Sequence, residues 1–491
     1  MITFRSAFLP SLGKFLPVIL FSNSFCAEFV PTGQNLPPPQ REFRGLWVAS
    51  VYNLDWPSRP RLSVEEQKKE LRAIISTAAE VGFNAIVLQV RPTADALYRS
   101  DREPWSEYLT GRQGLDAGYD PLAFAIEEAH NAGLQLHAWF NPFRARVESS
   151  GDACSKHVTQ QRPEWVRKYG KLCWMDPGIP AARDWVLETI AEVVRKYDID
   201  GVHLDDYFYP YPVRDAKGAV IDFPDHATWR IYGGSRDIRE WRRDNVNDFV
   251  RRLKHTVQRE KPWVMVGISP FGIWRPQVPP GISGKLDAYE DLCADSRLWL
   301  REGWVDYFSP QLYWRRGGPQ DYDKLLRWWI SQNVLGRHLW PGLALDRIGR
   351  DRDSSHVLEQ IALTREVCAS CGQLLWHWSA LRQNKGGIRE ALKRGPYSQM
   401  ALVPSTPWLK ATTASAPEIH AQMKDAMVLL RIRSKPHRTV RWWLVQWEEG
   451  AKLLRATADA TEILIPFTRH VTVTPVANNG VLGQPRSLAF P

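Results

Sequence analysis

Between residues 43 and 379 the chain alternates between two hydrophobic rhythms. Short, nearly continuous apolar runs occur at "FRGLWVAS" (43–50), "FNAIVLQV" (83–90), "LQLHAWF" (134–140) and "DGVHLDD" (200–206). They continue at "WVMVGIS" (263–269), "VDYFSPQLY" (305–313), "HLWPGLAL" (338–345) and "QLLWHWS" (373–379). Stretches of helical period separate them, at 63–81, 121–132, 181–197, 238–259, 287–302, 321–332 and 354–369. Short apolar runs bounded by turn residues read as strands buried on both faces, and their alternation with helices reads as a parallel sheet under a helical layer. Eight such units predict an α/β chain with a (β/α)8 TIM barrel over residues 41–400, whose functional end is the C-terminal rim of the strands. An open doubly wound sheet is the alternative. It carries a glycine-rich phosphate loop after its first strand, and "ASVYNLDWP" is nothing like one.

Beyond residue 400 the rhythm changes. A Pro/Ser/Thr-rich linker at 401–417 leads into period-two runs, "AMVLLRIR" (426–433), "TVRWWLVQW" (439–447), "EILIPF" (462–467) and "HVTVTPVA" (470–477). These predict a small fibronectin type III-like β-sandwich over 418–491, without a concentrated acid/base set and therefore accessory. A proline-rich stretch, 28–40, reads as a linker ahead of the barrel.

Alternation assigns faces within each strand. In the fourth, Val202 and Leu204 suit the helix layer, so Gly201, His203 and Asp205 face the axis. Asp206 has the other parity, but it is the last residue and a bend there turns it inward. The sixth strand aligns Tyr307, Ser309, Gln311 and Tyr313; the third aligns His137, Trp139 and Asn141; the second aligns Gln89 and Arg91, with Asp95 just beyond. In the eighth, "LLWHWS" is too apolar to choose between His377 and the flanking Trp376 and Trp378. Tyr207–Tyr211 begin a long aromatic loop after the Asp pair.

Composition sharpens this. The chain has 491 residues, a net charge of +10 and 23 tryptophans. Packing between helices accounts for more than half of the tryptophans; the rest are flat amphipathic rings of the kind on which sugars stack. The basic charge is scattered over helices, with no nucleic-acid motif and no long arginine run, and reads as a solvated surface. Arg5 and Lys14 precede an apolar stretch, Phe15–Phe21, and then small and polar residues up to Cys26-Ala27. That is a secretory signal over 1–27, too short to span a bilayer, with Cys26 either at the cleavage site or as a lipid-bearing residue on a poor lipobox, "NSFC". No later segment reaches 18 uninterrupted apolar residues. The mature chain is therefore expected to be exported to the periplasm or envelope, either soluble or held at the membrane by one lipid on Cys26. Cys154 and Cys173 bracket one loop and are placed to bridge in an oxidising compartment. "CASC" (368–371) reads as buried thiols or a local bridge rather than a zinc site, because no second pair completes one.

The mouth lacks a nucleophile elbow and an H-x-H on the first strand, and His203 beside two carboxylates reads as a buried, hydrogen-bonded histidine rather than a metal ligand. No cofactor is expected. Paired carboxyls among aromatic rings suit glycosidic bond cleavage, in which one carboxyl protonates the leaving oxygen and a second group stabilises an oxocarbenium-like transition state. Adjacent carboxyls raise each other's pKa. They also suit a substrate-assisted route, in which one Asp orients the 2-acetamido group of the sugar as nucleophile and its neighbour is the acid, with Tyr313 or Asn141 on the acetamido oxygen. The bland reading of the pair is a turn or helix cap; strand-end position and the surrounding rings favour catalysis. Asp346, ending the seventh strand, is a second candidate carboxylate.

The long motifs "FRGLWVASVYNLDWPS", "FNAIVLQVRPTADALYRSDREPWSEYLTG", "YDPLAFAIEEAHNAGLQLHAWFNPFR", "DGVHLDDYFYPYP" and "YEDLCADSRLWLREGWVDYFSPQLYW" resemble the bacterial glycosyl-hydrolase-10-like family, over residues 40 to 395. The resemblance implies a (β/α)8 barrel, a cell-envelope location and hydrolysis of peptidoglycan glycan strands, preferably denuded of stem peptides. Carried over by motif, it implies site residues Arg91, Asp95, Asn141, Arg144, Asp205, Asp206, Gln311 and Tyr313. The rings of Trp139, Tyr207, Tyr209, Trp314 and Trp378 complete the expected substrate-binding set around the catalytic Asp205 and Asp206. Two rival readings are a non-catalytic glycan-binding protein that keeps the cleft and a hydrolase of another polysaccharide.

Overall fold

The structure is a computed structural model that describes residues 29–368, 372–411, 414–434 and 440–490. The expected signal segment, with Cys26, lies outside the described residues, as does Cys371. The eight runs form the eight strands of one parallel sheet: β1 (Phe43–Val48), β2 (Ala85–Arg91), β3 (Gln135–Phe140), β4 (Gly201–Leu204), β5 (Met265–Ile268), β6 (Tyr307–Phe308), β7 (His338–Leu339 and Gly342–Ala344) and β8 (Gly372–Trp376). Each strand pairs with its sequence neighbours, and β8 returns to β1. β7 is cut in two by Trp340-Pro341, because proline has no N–H for the ladder. Its halves still close the barrel. Gly342 N donates to Pro310 O (2.9 Å) on the β6 side and Leu374 N donates to Pro341 O (3.1 Å) on the β8 side.

One main helix follows each strand: α1 (Val64–Val81), α2 (Pro121–Asn131), α3 (Pro180–Lys196), α4 (Ile238–Glu260), α5 (Ser296–Arg301), α6 (Tyr322–Gln332), α7 (Ser354–Val367) and α8 (Ile388–Arg394). α1 shows how locally its ends are encoded. Ser63 and Glu66 form a reciprocal capping box, and Gly82 stops the helix in a left-handed conformation (φ 102°). The residue faces follow the alternation. Phe43, Trp47, Val87, Trp139, Met265, Tyr307, Trp340 and Leu374 pack inside the barrel. Val202, Leu204, Leu136 and Phe140 pack outward against the helices. Eight tryptophans, including Trp47, Trp299, Trp329 and Trp340, are fully enclosed, which is the packing role.

The C-terminal module is a sandwich of antiparallel strands β9 (Glu418–Lys424), β10 (Met427–Arg433), β11 (Trp442–Trp447), β12 (Gly450–Arg455), β13 (Thr461–Pro466), β14 (His470–Val476) and β15 (Arg486–Ala489). One sheet is β9-β10-β13; the other is β15-β14-β11-β12, extended at its edge by Val30–Thr32. The proline-rich stretch expected as a linker is therefore docked on the sandwich. Val30–Thr32 pairs with β15, Leu36 N donates to Thr472 Oγ1 (2.9 Å), and Pro37 O accepts from Gln446 Nε2 (2.6 Å). An extended proline-rich chain keeps its carbonyls free, and an open sheet edge offers them partners.

The sandwich sits under the barrel, at the N-terminal ends of the strands. Arg441 donates to Asp198 Oδ1 (2.6 Å) and Asp200 Oδ1 (2.8 Å), just ahead of β4. A cavity of about 420 Å³ between Phe83, Leu134, Leu402, Trp442 and Leu453 marks the seam. The C-terminal rim is left open.

Cys154 and Cys173, placed by their spacing to bridge, are free thiols, whereas Cys368 is disulfide-bonded. Cys154 is held by its backbone N–H on Gln113 Oε1 (3.3 Å), while Cys173 lies in a separate hairpin strand paired to Lys168. In the native protein we expect these two half-buried thiols to react with a colorimetric thiol reagent. Buried Cys293, its thiol pushed up to about 12, should react only after unfolding. A Cys154–Cys173 bridge would leave neither of the two reactive in the native protein. Among the described residues no helix is long and apolar enough to cross a membrane, and no group of three or more His, Cys, Asp or Glu is placed to hold a metal ion.

Candidate active site

β4 delivers Asp205 and Asp206 to the C-terminal rim, each only 4% exposed. Asp205 is surrounded by donors. Asn141 Nδ2 reaches both of its oxygens (3.3 and 3.2 Å), Trp139 Nε1 donates to Oδ2 (3.2 Å), and Tyr207 N donates to Oδ1 (3.4 Å). The Asn141 amide has one orientation, because its Oδ1 accepts from Arg144 N (2.9 Å). Asp206 accepts from Gln311 Nε2 (3.1 Å) and bonds to the Tyr211 hydroxyl. Gln311 is fixed too, since the same nitrogen donates to Ser269 O (3.0 Å).

Burial dominates the electrostatics of the pair. It pushes Asp205 up to about 7, with Arg144 opposing and the Asp206 charge adding to the rise. Burial also raises Asp206, against the hydrogen bonds from Tyr211 and Gln311. Two such neighbours titrate as a unit, so the first proton to enter the pair is shared between them. Arg144 is the nearby cation. Its guanidinium lies 5.0 Å from the centre of the Tyr207 ring, and its Nε donates to Pro92 O (3.0 Å).

Below the pair lies a neutral polar floor. Trp47 Nε1 donates to His203 Nε2 (3.2 Å), so His203 donates from Nδ1 to the Tyr307 hydroxyl (2.9 Å). Tyr307 in turn donates to His137 Nδ1 (2.9 Å), whose Nε2 bonds Gln135 (3.1 Å). Burial depresses both imidazoles, His137 to about 4, so neither is charged at neutral pH. Both nitrogens of His203 are thus committed to protein groups.

Trp139, Asn141, Arg144, Tyr207 and Gln311 are assembled around the pair. Tyr313 also lies near it: burial raises its hydroxyl, and Asp206, Asp346 and Asp205 add to the rise. Four expected substrate contacts are placed elsewhere. A register shift between Gln89 and Arg91 pairs Arg91 with outward-facing Phe140, so the bulge flips its side chain into the helix layer. There Arg91 is fully buried, bidentate on Glu103 (2.8 and 2.5 Å) and donating to Asn141 O (2.6 Å) and Pro142 O (3.0 Å). It braces the β3 loop. Tyr209 is also enclosed, edge-on to Phe223 (5.3 Å) with the Arg242 guanidinium over its ring. Trp378 starts a short helix and packs in the outer core; the preceding Trp376 is the half-buried ring of β8, edge-on to Trp47 (5.8 Å) and Trp139 (6.1 Å). Asp95 is closed into its own loop, accepting from Thr93 Oγ1 (3.1 Å) and Gln113 (3.4 Å), and burial pushes it up to about 7. Trp314 is half-buried, edge-on to Phe271 (5.6 Å). Asp346 lies on the turn Leu345–Arg347, 3.9 Å from Arg350, and no described hydrogen bond joins it to the pair.

The sequence leaves the eighth strand open between His377, Trp376 and Trp378, and the structure turns the Trp376 ring toward Trp139. Tyr211 lies five residues beyond Asp206 on an irregular loop, where periodicity says nothing about direction. Asp55 is not among the expected site residues; it forms a rim clamp with His377, whose Nδ1 donates to Asp55 Oδ1 (2.6 Å).

A family model, glycosyl hydrolase-like 10, matches residues 42–357. The chain is 43% identical over 413 residues to the glycosyl hydrolase YngK of Bacillus subtilis, covering 81% of this chain and 80% of that protein. It is 35% identical over 347 residues to the glycosyl hydrolase DigH of Escherichia coli, covering 65% of this chain and 77% of that one. Among solved structures it is similar to the glycoside hydrolase domain of PgaB (BpsB) from Bordetella bronchiseptica, at a TM-score of 0.48 and 15% identity over 72% of this chain and 98% of that one. With a closed (β/α)8 barrel and a buried carboxyl pair at its open rim, the chain belongs to the glycosyl hydrolase-like 10 family and is a glycoside hydrolase.

Proposed function

We propose that this enzyme cleaves the glycan strands of peptidoglycan, preferring strands denuded of stem peptides, in the cell envelope, with Asp206 as the acid and Asp205 as the stabilising anion. One observation carries the assignment of roles. Every hydrogen-bond partner of Asp205 among the described residues is an N–H that can only donate, so none of them can accept a proton held on Asp205. Asp206 instead touches a hydroxyl, which can accept, and so it is the carboxyl able to hold the shared proton.

Two adjacent carboxyls cannot flank one bond as acid and nucleophile, which favours a substrate-assisted route. The carbonyl oxygen of the 2-acetamido group attacks C1 as the C1–O bond to the leaving sugar breaks, and Asp206 gives its proton to that oxygen. Asp205 accepts the acetamido N–H and balances the positive charge of the cyclic intermediate. Water then opens the intermediate, with Asp206 taking the proton back. The Tyr313 hydroxyl, without a hydrogen bond among the described residues, suits the acetamido oxygen; the Asn141 amide is already committed to Asp205 and Arg144.

Purified protein incubated with peptide-free glycan strands should release new reducing ends, and mass spectrometry of the products identifies the bond cut. Intact peptide-bearing peptidoglycan should be cut more slowly, and a thiazoline mimic of the cyclic intermediate should inhibit. Turnover of a polysaccharide lacking 2-acetamido groups, with none on the strands, would reject the substrate and the route together.

A further inference from the structure

A rim residue with no role in the pair's hydrogen-bond network stands out after β1. Tyr52 is 55% exposed, and its backbone is left-handed (φ 60°, ψ 14°), as is that of Asn53 (φ 52°). Left-handed backbone is strained for a side chain with a Cβ, and two consecutive non-glycine residues hold it here only because the surroundings force it. Ser50 N and Val51 N both donate to Gln89 Oε1 (3.0 Å each), tying the loop to β2. Asn53 Nδ2 donates to Pro57 O and Tyr108 O (2.9 Å each). Asp55 accepts from Ala49 N (2.9 Å), His377 Nδ1 (2.6 Å) and Ser379 N (2.7 Å), tying it to β8.

The loop is thus clamped on both flanks of the open rim, and its most exposed large group is the Tyr52 ring, ahead of Leu54. That ring has no stacking partner and its hydroxyl no hydrogen bond among the described residues. Its place is next to the chemistry: burial raises the Tyr207 phenol, and Asp206, Asp205 and the neighbouring Tyr52 ring all add to that rise. A strained, rigid support for an exposed phenol gains nothing for folding. It does pre-organise a flat apolar face for a ligand, which lowers the ordering cost on binding.

We propose that Tyr52 is a carbohydrate-stacking platform that holds one sugar ring of the strand beside the Asp205–Asp206 subsite, and so sets the enzyme's affinity for strands rather than its chemical step. This rests on the glycan reading of the mouth. The ring's apolar C–H face meets the phenol, so ring shape is required and the hydroxyl is not.

The test uses the full chain and peptide-free glycan strands. Tyr52→Ala should raise KM about tenfold with kcat changed less than about twofold, and weaken calorimetric binding of the same strands by the same factor. Tyr52→Phe and Tyr52→Trp should restore both. Tyr52→Gly relieves the left-handed strain, so its thermal stability should equal or exceed that of the parent while strand binding falls as in the alanine variant. Unchanged KM and binding in Tyr52→Ala would overturn the platform, as would a Tyr52→Phe variant as weak as the alanine one. Parent protein that binds strands in a Tyr52-dependent way without cleaving them would sink the proposed reaction and keep the platform; strands neither bound nor cut would sink both.

Discussion

Asp206→Asn is expected to slow hydrolysis of peptide-free strands by roughly 10³-fold, the scale of a lost general acid. It should slow an activated aryl 2-acetamido-glycoside far less, because an acidic phenol leaves without a proton. Asp205→Asn is expected to slow both substrates by roughly 10²–10³-fold, since the anion that stabilises the cyclic intermediate is needed whatever the leaving group. The two variants should also differ in pH profile. Burial raises both carboxyls, so the parent keeps the proton of the pair to higher pH than an ordinary carboxyl would and loses activity as pH rises through the range in which the pair gives it up. Replacing Asp206 removes the titrating acid, so the loss on the basic side should flatten for the aryl substrate. If Asp205→Asn kept the aryl activity and Asp206→Asn lost it, the roles would be the reverse of those argued from the donors around each carboxyl.

The second large effect concerns stability. Arg91→Met should destabilise the barrel by about 3–5 kcal/mol in urea unfolding, because it leaves Glu103 as an uncompensated buried charge and strips donors from Asn141 O and Pro142 O. Replacing Glu103 as well, in an Arg91→Met/Glu103→Leu protein, should recover most of that loss, since a buried ion pair exchanged for apolar groups is often close to neutral. Folded Arg91→Met protein should keep the parent's KM. An Arg91→Met enzyme of parental stability with a much larger KM would mean that the guanidinium meets substrate after all.

The Arg91 case shows where reading the chain stops working. Alternation carried His137, Trp139 and Asn141 on β3, and His203 and Asp205 on β4, to the correct face, because a regular strand has a period of two whatever surrounds it. On β2 one extra residue between Gln89 and Arg91 reverses the parity, and nothing in "LQVRP" marks the bulge. Tyr209 was misplaced for a related reason. "DYFYPYP" is irregular backbone, so Tyr207 and Tyr211 turn to the carboxyl pair while Tyr209 packs on Phe223.

Local order was therefore written in the sequence: eight strand–helix units, the α1 capping box, the period-two strands of the sandwich, and two adjacent carboxyls ending the fourth barrel strand. These depend on neighbours a few residues apart along the chain. What needed the tertiary structure were meetings between distant segments. Val30–Thr32 completes a sheet with β15, Arg441 ties the sandwich to Asp198 and Asp200 beneath the barrel, and Gln311 closes on Asp206. The proton's place within the pair belongs to the same class. Asp205 and Asp206 are chemically identical in the sequence, and only the donors that the folded chain sets around each one make them different.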